Sequence, residues 1–298
     1  MLDYCSVKDI VDAANARGIT ISQLVLADQA AAMEISEAEI FSRMAENFAV
    51  MRRSAVEGLR PDVRSVSGLS GGDGYKMHMY AADGGSIGGS FCARAIAIAI
   101  GIQEYNAAMG KIVAAPTAGA CGILPAGVIS FMEMRKLPEE TAVMALITAG
   151  AIGMVIANLA TISGAQGGCQ AECGSAAAMT AGALVEMAGG SNDMVAHAAA
   201  IALKNQLGLV CDPVAGLVEV PCIKRNAGGI MVAVGAADMA LAGIESVIPV
   251  DEVITAMGEV GHCLPSTLRE TGLGGLAATP TGMAIKEKIF GGDRNADN

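Results

Sequence analysis

Eight cysteines occur in this 298-residue chain, and three of them stand where the backbone cannot be mid-helix. Cys169 follows a Gly pair, Cys211 stands two residues before Pro213, and Cys222 directly follows Pro221. A cysteine that only fills a core gap usually sits in a regular apolar pattern. One presented from a Gly- or Pro-shaped loop is better placed to aim its sulfur at a shared target. The stretch that holds them opens on Gly164-Ala165-Gln166-Gly167-Gly168-Cys169-Gln170-Ala171-Glu172-Cys173-Gly174 and closes on Val220-Pro221-Cys222-Ile223-Lys224-Arg225-Asn226. Three dispersed thiolates suit a 4Fe-4S cluster with one iron left open. Zinc is the rival: Cys169 and Cys173 form one close pair, but Cys211 and Cys222 are too far apart to form the second. An iron without a cysteine can act as a Lewis acid, holding a carboxylate and a β-hydroxyl together and helping the hydroxyl leave. That is dehydration chemistry.

Other segments could hold a small anion. Ser67-Gly68-Leu69-Ser70-Gly71-Gly72-Asp73-Gly74 and Asp83–Gly89 are Gly-rich loops whose amides could cradle phosphate or carboxylate, although neither has a P-loop ending. Ala115-Pro116-Thr117-Ala118-Gly119-Ala120-Cys121-Gly122-Ile123-Leu124-Pro125 lies between prolines, and its Thr and bare Gly amides would suit a small carboxylate. Cys121 in that loop and His197 in its Ala-rich stretch read as core residues.

The elements that must position these loops read as helices. Ser6 with Asp9 and Ser36 with Glu39 look like N-caps, Gly18 closes the first helix, and an amphipathic run covers residues 40–59. Helical patterns follow over 91–110, 175–188, 194–207 and 227–244, with another starting at Pro249. Residues 141–171 carry no charge and are long enough to span a bilayer. Their polar residues, the Gly-rich ending and the lack of aromatic belts or basic flanks favour a helix buried on all sides. Strand-like alternation is scarce and no repeat is visible. The expected fold is mainly α: a helical lead-in over 1–62 packed on a catalytic domain over 63–298, as one continuous unit.

Composition bounds the function. The chain is 53% hydrophobic but only 3% aromatic, which suits helices packed through small side chains with Met filling gaps. A net charge of −11 argues against nucleic-acid or anionic-membrane binding. Met1–Cys5 has neither a basic nor an apolar signal region, so a cytoplasmic location with reduced thiols is expected.

The cysteine stretch, Cys211-Asp212-Pro213 to Pro221-Cys222, and Ala115–Pro125 together resemble the iron–sulfur L-serine dehydratases of bacteria, in particular the α chain of the two-chain type. The resemblance covers almost the whole chain, including 67–73 and 264–281. It implies conversion of L-serine to pyruvate and ammonia on a helical domain with an oxygen-sensitive 4Fe-4S cluster in place of pyridoxal phosphate. The implied cluster ligands are Cys169, Cys211 and Cys222, while Cys173 matches no ligand position. The implied substrate site includes Thr117 and Gly119, with Ser67, Ser70 and Asn106 nearby.

Two departures shape the remaining expectations. Single-chain relatives carry a Ser-Ser-Ser-His-Thr motif whose histidine is a candidate base, and this chain has none. A β chain is therefore the expected partner and source of the base, leaving Lys76, His78 and His262 as local candidates. Some relatives also end in a cysteine that plugs the open iron, whereas residues 291–298 contain no cysteine. Two other readings remain: β-elimination of L-cysteine, and a non-catalytic metal-binding subunit. A pyridoxal enzyme is disfavoured because no lysine sits in a Schiff-base context.

Overall fold

The computed structural model describes residues 4–291, so the tail without a cysteine falls, after Gly291, outside the described residues. The helices are α1 (Val7–Arg17), α2 (Ile21–Met33), α3 (Glu37–Gly58), α4 (Asp73–Ala82), α5 (Gly89–Ala107), α6 (Ile123–Arg135) and α7 (Glu139–Leu159). They continue with α8 (Gly164–Gly167), α9 (Ser175–Met187), α10 (Asn192–Lys204), α11 (Cys222–Leu241), α12 (Val250–Cys263) and α13 (Pro280–Phe290). The described residues form no strand, only an isolated bridge between Cys211 and Arg269. The fold is mainly α, as the sequence predicts.

The caps read from sequence are present. The Ser6 and Ser36 hydroxyls accept from the Asp9 and Glu39 N–H groups, and Gly18 takes the left-handed conformation that ends α1. Between these helices, α2 starts on a capping box of Thr20 and Gln23 that the sequence reading missed.

Helix α9 is the centre of the body. It buries every residue except Glu186 and packs on α6, α7, α10 and α11. Ala and Gly dominate its surface, so neighbouring backbones come close and the helix has no polar face. Helix α7 is long and apolar enough to cross a membrane, yet most of it is buried against α2, α3, α6 and α9. It is a core helix.

The N-terminal helices are tied into the same body. One hydrophobic cluster runs from Val7 through Phe48 to Met257. The Asp251 carboxylate of α12 accepts from the Val7 N–H (2.7 Å) and Lys8 N–H (3.1 Å), which offsets the open N-terminus of α1. Glu186 accepts from the Ser22 N–H of α2 and the Thr148 hydroxyl of α7, and burial pushes its carboxyl above the ordinary range.

Helices α3 and α5 cross at a backbone-to-backbone contact that only glycine allows. A Cβ on Gly58 would lie 2.1 Å from the Gly101 carbonyl oxygen, and one on Gly74, packed on the same point, would lie 2.6 Å from the Gly101 Cα. This brings the start of α4 onto Glu104, which is fully buried and accepts from the Asp73 and Gly74 N–H groups at 3.0 Å each. Gly72 caps α4 without a side chain, so Glu104 supplies the missing acceptor and the charge that suits a helix N-terminus. Gly58→Ala is expected to force α3 off α5 and cost about 2–3 kcal/mol, measured by chemical denaturation.

Candidate active site

The cysteine loop is held by one glutamine. Between α8 and α9 the chain turns at Gly168 (φ +77°), presents Cys169, and passes through a π-turn over Gln170–Gly174. Such π-turns recur at functional sites because they displace side chains from the regular helical rows. The Gln170 side chain is fully buried. It donates to the Gly167 carbonyl (2.9 Å) and the Met257 carbonyl (3.0 Å) and accepts from the Gly208 N–H (2.9 Å). Its own N–H donates to the Leu209 carbonyl at 3.0 Å. The loop is therefore locked to α12 and to the segment that leads into Cys211.

Cys211 and Cys222 are fixed from other directions. The Cys211 N–H donates to the Leu268 carbonyl (2.9 Å), and its carbonyl accepts from the Glu270 N–H (2.7 Å). Cys222 opens α11. One turn later, Arg225 donates to the Val210 carbonyl at 2.7 Å and forms an ion pair with Asp212 at 2.8 Å, tying α11 to the Cys211 loop. Asn226 is fully buried. It accepts from the Gly122 N–H (2.9 Å) and donates to the Gly119 carbonyl (2.8 Å) and the Cys222 carbonyl (2.9 Å). That single side chain joins the Thr117–Gly122 loop to the Cys222 helix.

Glu172 completes the arrangement. Its Oε1 accepts from the Thr117 hydroxyl at 2.7 Å, and its Oε2 lies 3.8 Å from the Cys211 Sγ. The Cys169 and Cys173 sulfurs share a hydrogen bond at 3.3 Å. That hydrogen bond lowers the Cys169 thiol, helped by the Arg225 guanidinium, while Cys173 itself is pushed up. Burial pushes Cys222 up to about 12 and Cys211 further, and charge on Cys169 and Glu172 adds to both. Burial also raises Glu172, against the Thr117 hydrogen bond and with Glu270 adding repulsion. The structure thus gathers several thiols and a carboxylate that cannot all carry negative charge without a cation.

Of the residues the sequence singled out, Cys169, Cys211, Cys222, Thr117 and Gly119 surround this region. Asn106 contributes indirectly, donating to the Ala118 carbonyl at 3.1 Å. Ser67 and Ser70 instead donate their hydroxyls to the buried Glu219 carboxylate. Ser67, Asn106 and Glu219 line a cavity of about 850 Å³ together with Phe290. Lys76 is exposed and paired with Asp73, and His78 lies on α4 with a buried, unpartnered Nδ1. His262 lines a separate cavity of about 530 Å³ with Arg269 and Gln166. No hydrogen bond or ion pair links these three candidate bases to the cysteines among the described residues. Cys121 donates to Gln103 inside the core, and the half-buried His197 accepts from the Ser246 N–H, so both have structural partners.

A family model described as serine dehydratase alpha chain matches residues 16–277. The chain belongs to the serine dehydratase alpha chain family. It is 50% identical over 289 residues to the probable L-serine dehydratase, alpha chain, of Bacillus subtilis, covering 97% of this chain and 96% of that protein. Identity to the L-serine dehydratase, alpha chain, of Peptoniphilus asaccharolyticus is 47% over 285 residues, covering 96% and 98%. The L-serine dehydratase of Streptomyces coelicolor is 48% identical over 181 residues, which is 60% of this chain but 40% of that longer protein. Gln170, Glu172, Glu219 and Asn226 are the site-building residues that sequence reasoning did not single out. Asn226→Ala would leave buried Gly122 and Gly119 groups without partners. It is expected to cost about 1–3 kcal/mol for each, read by chemical denaturation.

Proposed function

We propose that the chain is the α subunit of a cytoplasmic L-serine ammonia-lyase that converts L-serine to pyruvate and ammonia. Cys169, Cys211 and Cys222 hold a 4Fe-4S cluster in this reading, and a β chain completes the site. The observation that carries it is the gathering of three thiols from three separate segments beside the Thr117 loop. Relatives aligned over nearly the whole chain bear the name L-serine dehydratase, alpha chain, which supports it.

The donor set suits an iron–sulfur group. Buried thiols that hold their protons above the ordinary range need a cation before they ionise together, and coordination supplies it. Among the described residues no three His, Cys, Asp or Glu side chains converge on one point as ligands of a single ion would. A four-iron cluster takes one thiolate per iron, so its ligands need not meet at one point. When bound with one iron lacking a cysteine, the cluster supplies Lewis acidity toward the carboxylate and β-hydroxyl of serine.

The chain's own residues bind and orient. Ala118–Ala120 form a single 3-10 turn directly after Thr117; the Ala120 N–H donates to the Thr117 carbonyl, and the Ala118 and Gly119 N–H groups have no acceptor within the turn. They suit a substrate carboxylate. Elimination then needs a base to take the Cα proton as the β-hydroxyl leaves. The aminoacrylate so formed tautomerises and hydrolyses to pyruvate and ammonia. Among the described residues none of Lys76, His78 and His262 is linked to the thiols by a hydrogen bond or ion pair, and the longer Streptomyces coelicolor protein carries sequence beyond this chain, which favours a partner chain as the source.

Anaerobic Mössbauer spectroscopy of the αβ complex, with and without L-serine, tests the reading. One iron of a 4Fe-4S cluster is expected to change its signal on adding L-serine. A zinc-loaded protein, or a cluster indifferent to L-serine, would exclude it. Serine substitution at Cys169, Cys211 or Cys222 is expected to lower cluster iron severalfold, while Cys173→Ser keeps it. Full turnover by the reconstituted α chain alone would remove the β chain from the mechanism.

A further inference from the structure

We infer that Glu172 receives the substrate's ammonium group and sets the preference of this site for an α-amino acid over an α-hydroxy acid. The inference rests on the function proposed above. It starts from a carboxylate that is poorly compensated. Glu172 stands between the Thr117 loop and Cys211, held by one hydroxyl at 2.7 Å and one thiol at 3.8 Å. Two glycines make room for it: a Cβ on Gly164 would lie 2.5 Å from Oε2, and one on Gly119 would lie 3.1 Å from Oε1. The backbone on both sides is thus kept bare where the carboxylate sits.

A carboxylate taken largely out of water is costly unless a cation or several donors compensate it. Among the described residues no Lys, Arg or His forms an ion pair with Glu172. The cation in the neighbourhood, Arg225, is committed to Asp212 and the Val210 carbonyl. The other ionisable groups that face Glu172 are Cys169, Cys211, Cys173, Cys222 and Glu270, all neutral or negative. A carboxylate offers about four lone-pair sites; the Thr117 hydroxyl fills one, and Cys211, which loses its proton as a cluster ligand, no longer donates. An ammonium brings three N–H donors and the missing positive charge. Serine bound with its carboxylate on the Ala118–Ala120 turn would carry its ammonium next to this acid, because the two groups share Cα. An α-hydroxy acid brings a hydroxyl but no charge, and leaves the carboxylate as exposed to like charge as before.

The alternative role is mechanical: Glu172 ties Thr117 to the π-turn. That role needs an acceptor, and a glutamine oxygen serves as well. The two roles separate in binding.

The test is steady-state kinetics of the anaerobic, cluster-loaded αβ enzyme, reading KM and kcat for L-serine and the inhibition constant of L-glycerate as the measures of affinity, and comparing wild type with Glu172→Gln. Iron content and melting temperature are recorded for each. The expected result is an affinity for L-serine about tenfold to a hundredfold weaker, with L-glycerate changed by less than about threefold and iron unchanged. Equal weakening of both ligands, no weakening of either, or loss of iron would overturn the assignment. If Glu172→Gln does not fold, Glu172→Asp decides: the charge withdraws by one methylene, so the ratio of L-serine to L-glycerate affinity falls, and an unchanged ratio overturns the inference. A wild-type enzyme without a 4Fe-4S cluster or without L-serine binding brings down the proposed function and this inference together. A failure confined to the variants removes only the role of Glu172.

Discussion

Loops buried in a helical body must find a partner for every backbone N–H and carbonyl, and this molecule meets that requirement with amide side chains. Gln170 and Asn226 are both fully buried, and each spans three segments that are distant in sequence. Asn226 sits where the Thr117 loop, the start of α6 and the Cys222 helix meet. Gln170 does the same for the Cys169 turn, α12 and the approach to Cys211. A planar amide donates and accepts in fixed directions, so it fixes the relative positions of loops as well as their energies. The thiols are consequently placed by hydrogen bonds to the backbone around them, while the sulfurs make only the Cys169–Cys173 and Cys211–Glu172 hydrogen bonds among the described residues. That leaves the sulfur atoms available.

Four buried or half-buried carboxylates show how the surroundings divide the work. Glu104 receives two amides at the head of α4 and acts as a cap. Glu219 collects the hydroxyls of Ser67 and Ser70 and holds the Gly-rich loop closed. Glu186 accepts from α2 and α7 and joins the N-terminal helices to the core. In each case the donors belong to elements that must stay together, and the acid is satisfied by structure alone. Glu172 differs, because its donors are a hydroxyl from a loop and a thiol, and like charge surrounds it.

Much of the fold was legible because its signals are local. Ser6, Gly18 and Ser36 mark helix ends by their own backbone chemistry, and the uncharged run through α7 declares a helix buried over most of its length. The cysteine loops were legible for the same reason: Gly168 and Pro221 shape the chain beside each thiol. The residues that organise the site were not. Glu219 is separated from Ser67 by 152 residues and Asn226 from Gly122 by 104, and no spacing rule encodes such pairings. Hydroxyls in a Gly-rich loop, such as Ser67 and Ser70, can face a ligand or a buried acid, and only the fold reveals Glu219 as their acceptor. Glu172 lay inside the most prominent motif, overshadowed by the cysteines on either side.

The site is therefore a property of the completed fold. Thr117, Cys169, Cys211 and Cys222 come from four segments, and no pair of them is fixed by a local turn. Cys169 depends on α12 through Gln170, Cys211 on the Leu268–Glu270 segment, and Cys222 on the Thr117 loop through Asn226. Each tie is long-range, so each forms only after the helices it joins have packed. Helices packed through Ala and Gly leave little slack for that: at Gly58 and Gly101 the backbones already touch, and a shift there carries α4 and α5 with it. Packing tolerance and site geometry are then the same constraint. Changes that loosen the small-residue contacts should act on the thiols together rather than one at a time, and their effects should not add independently.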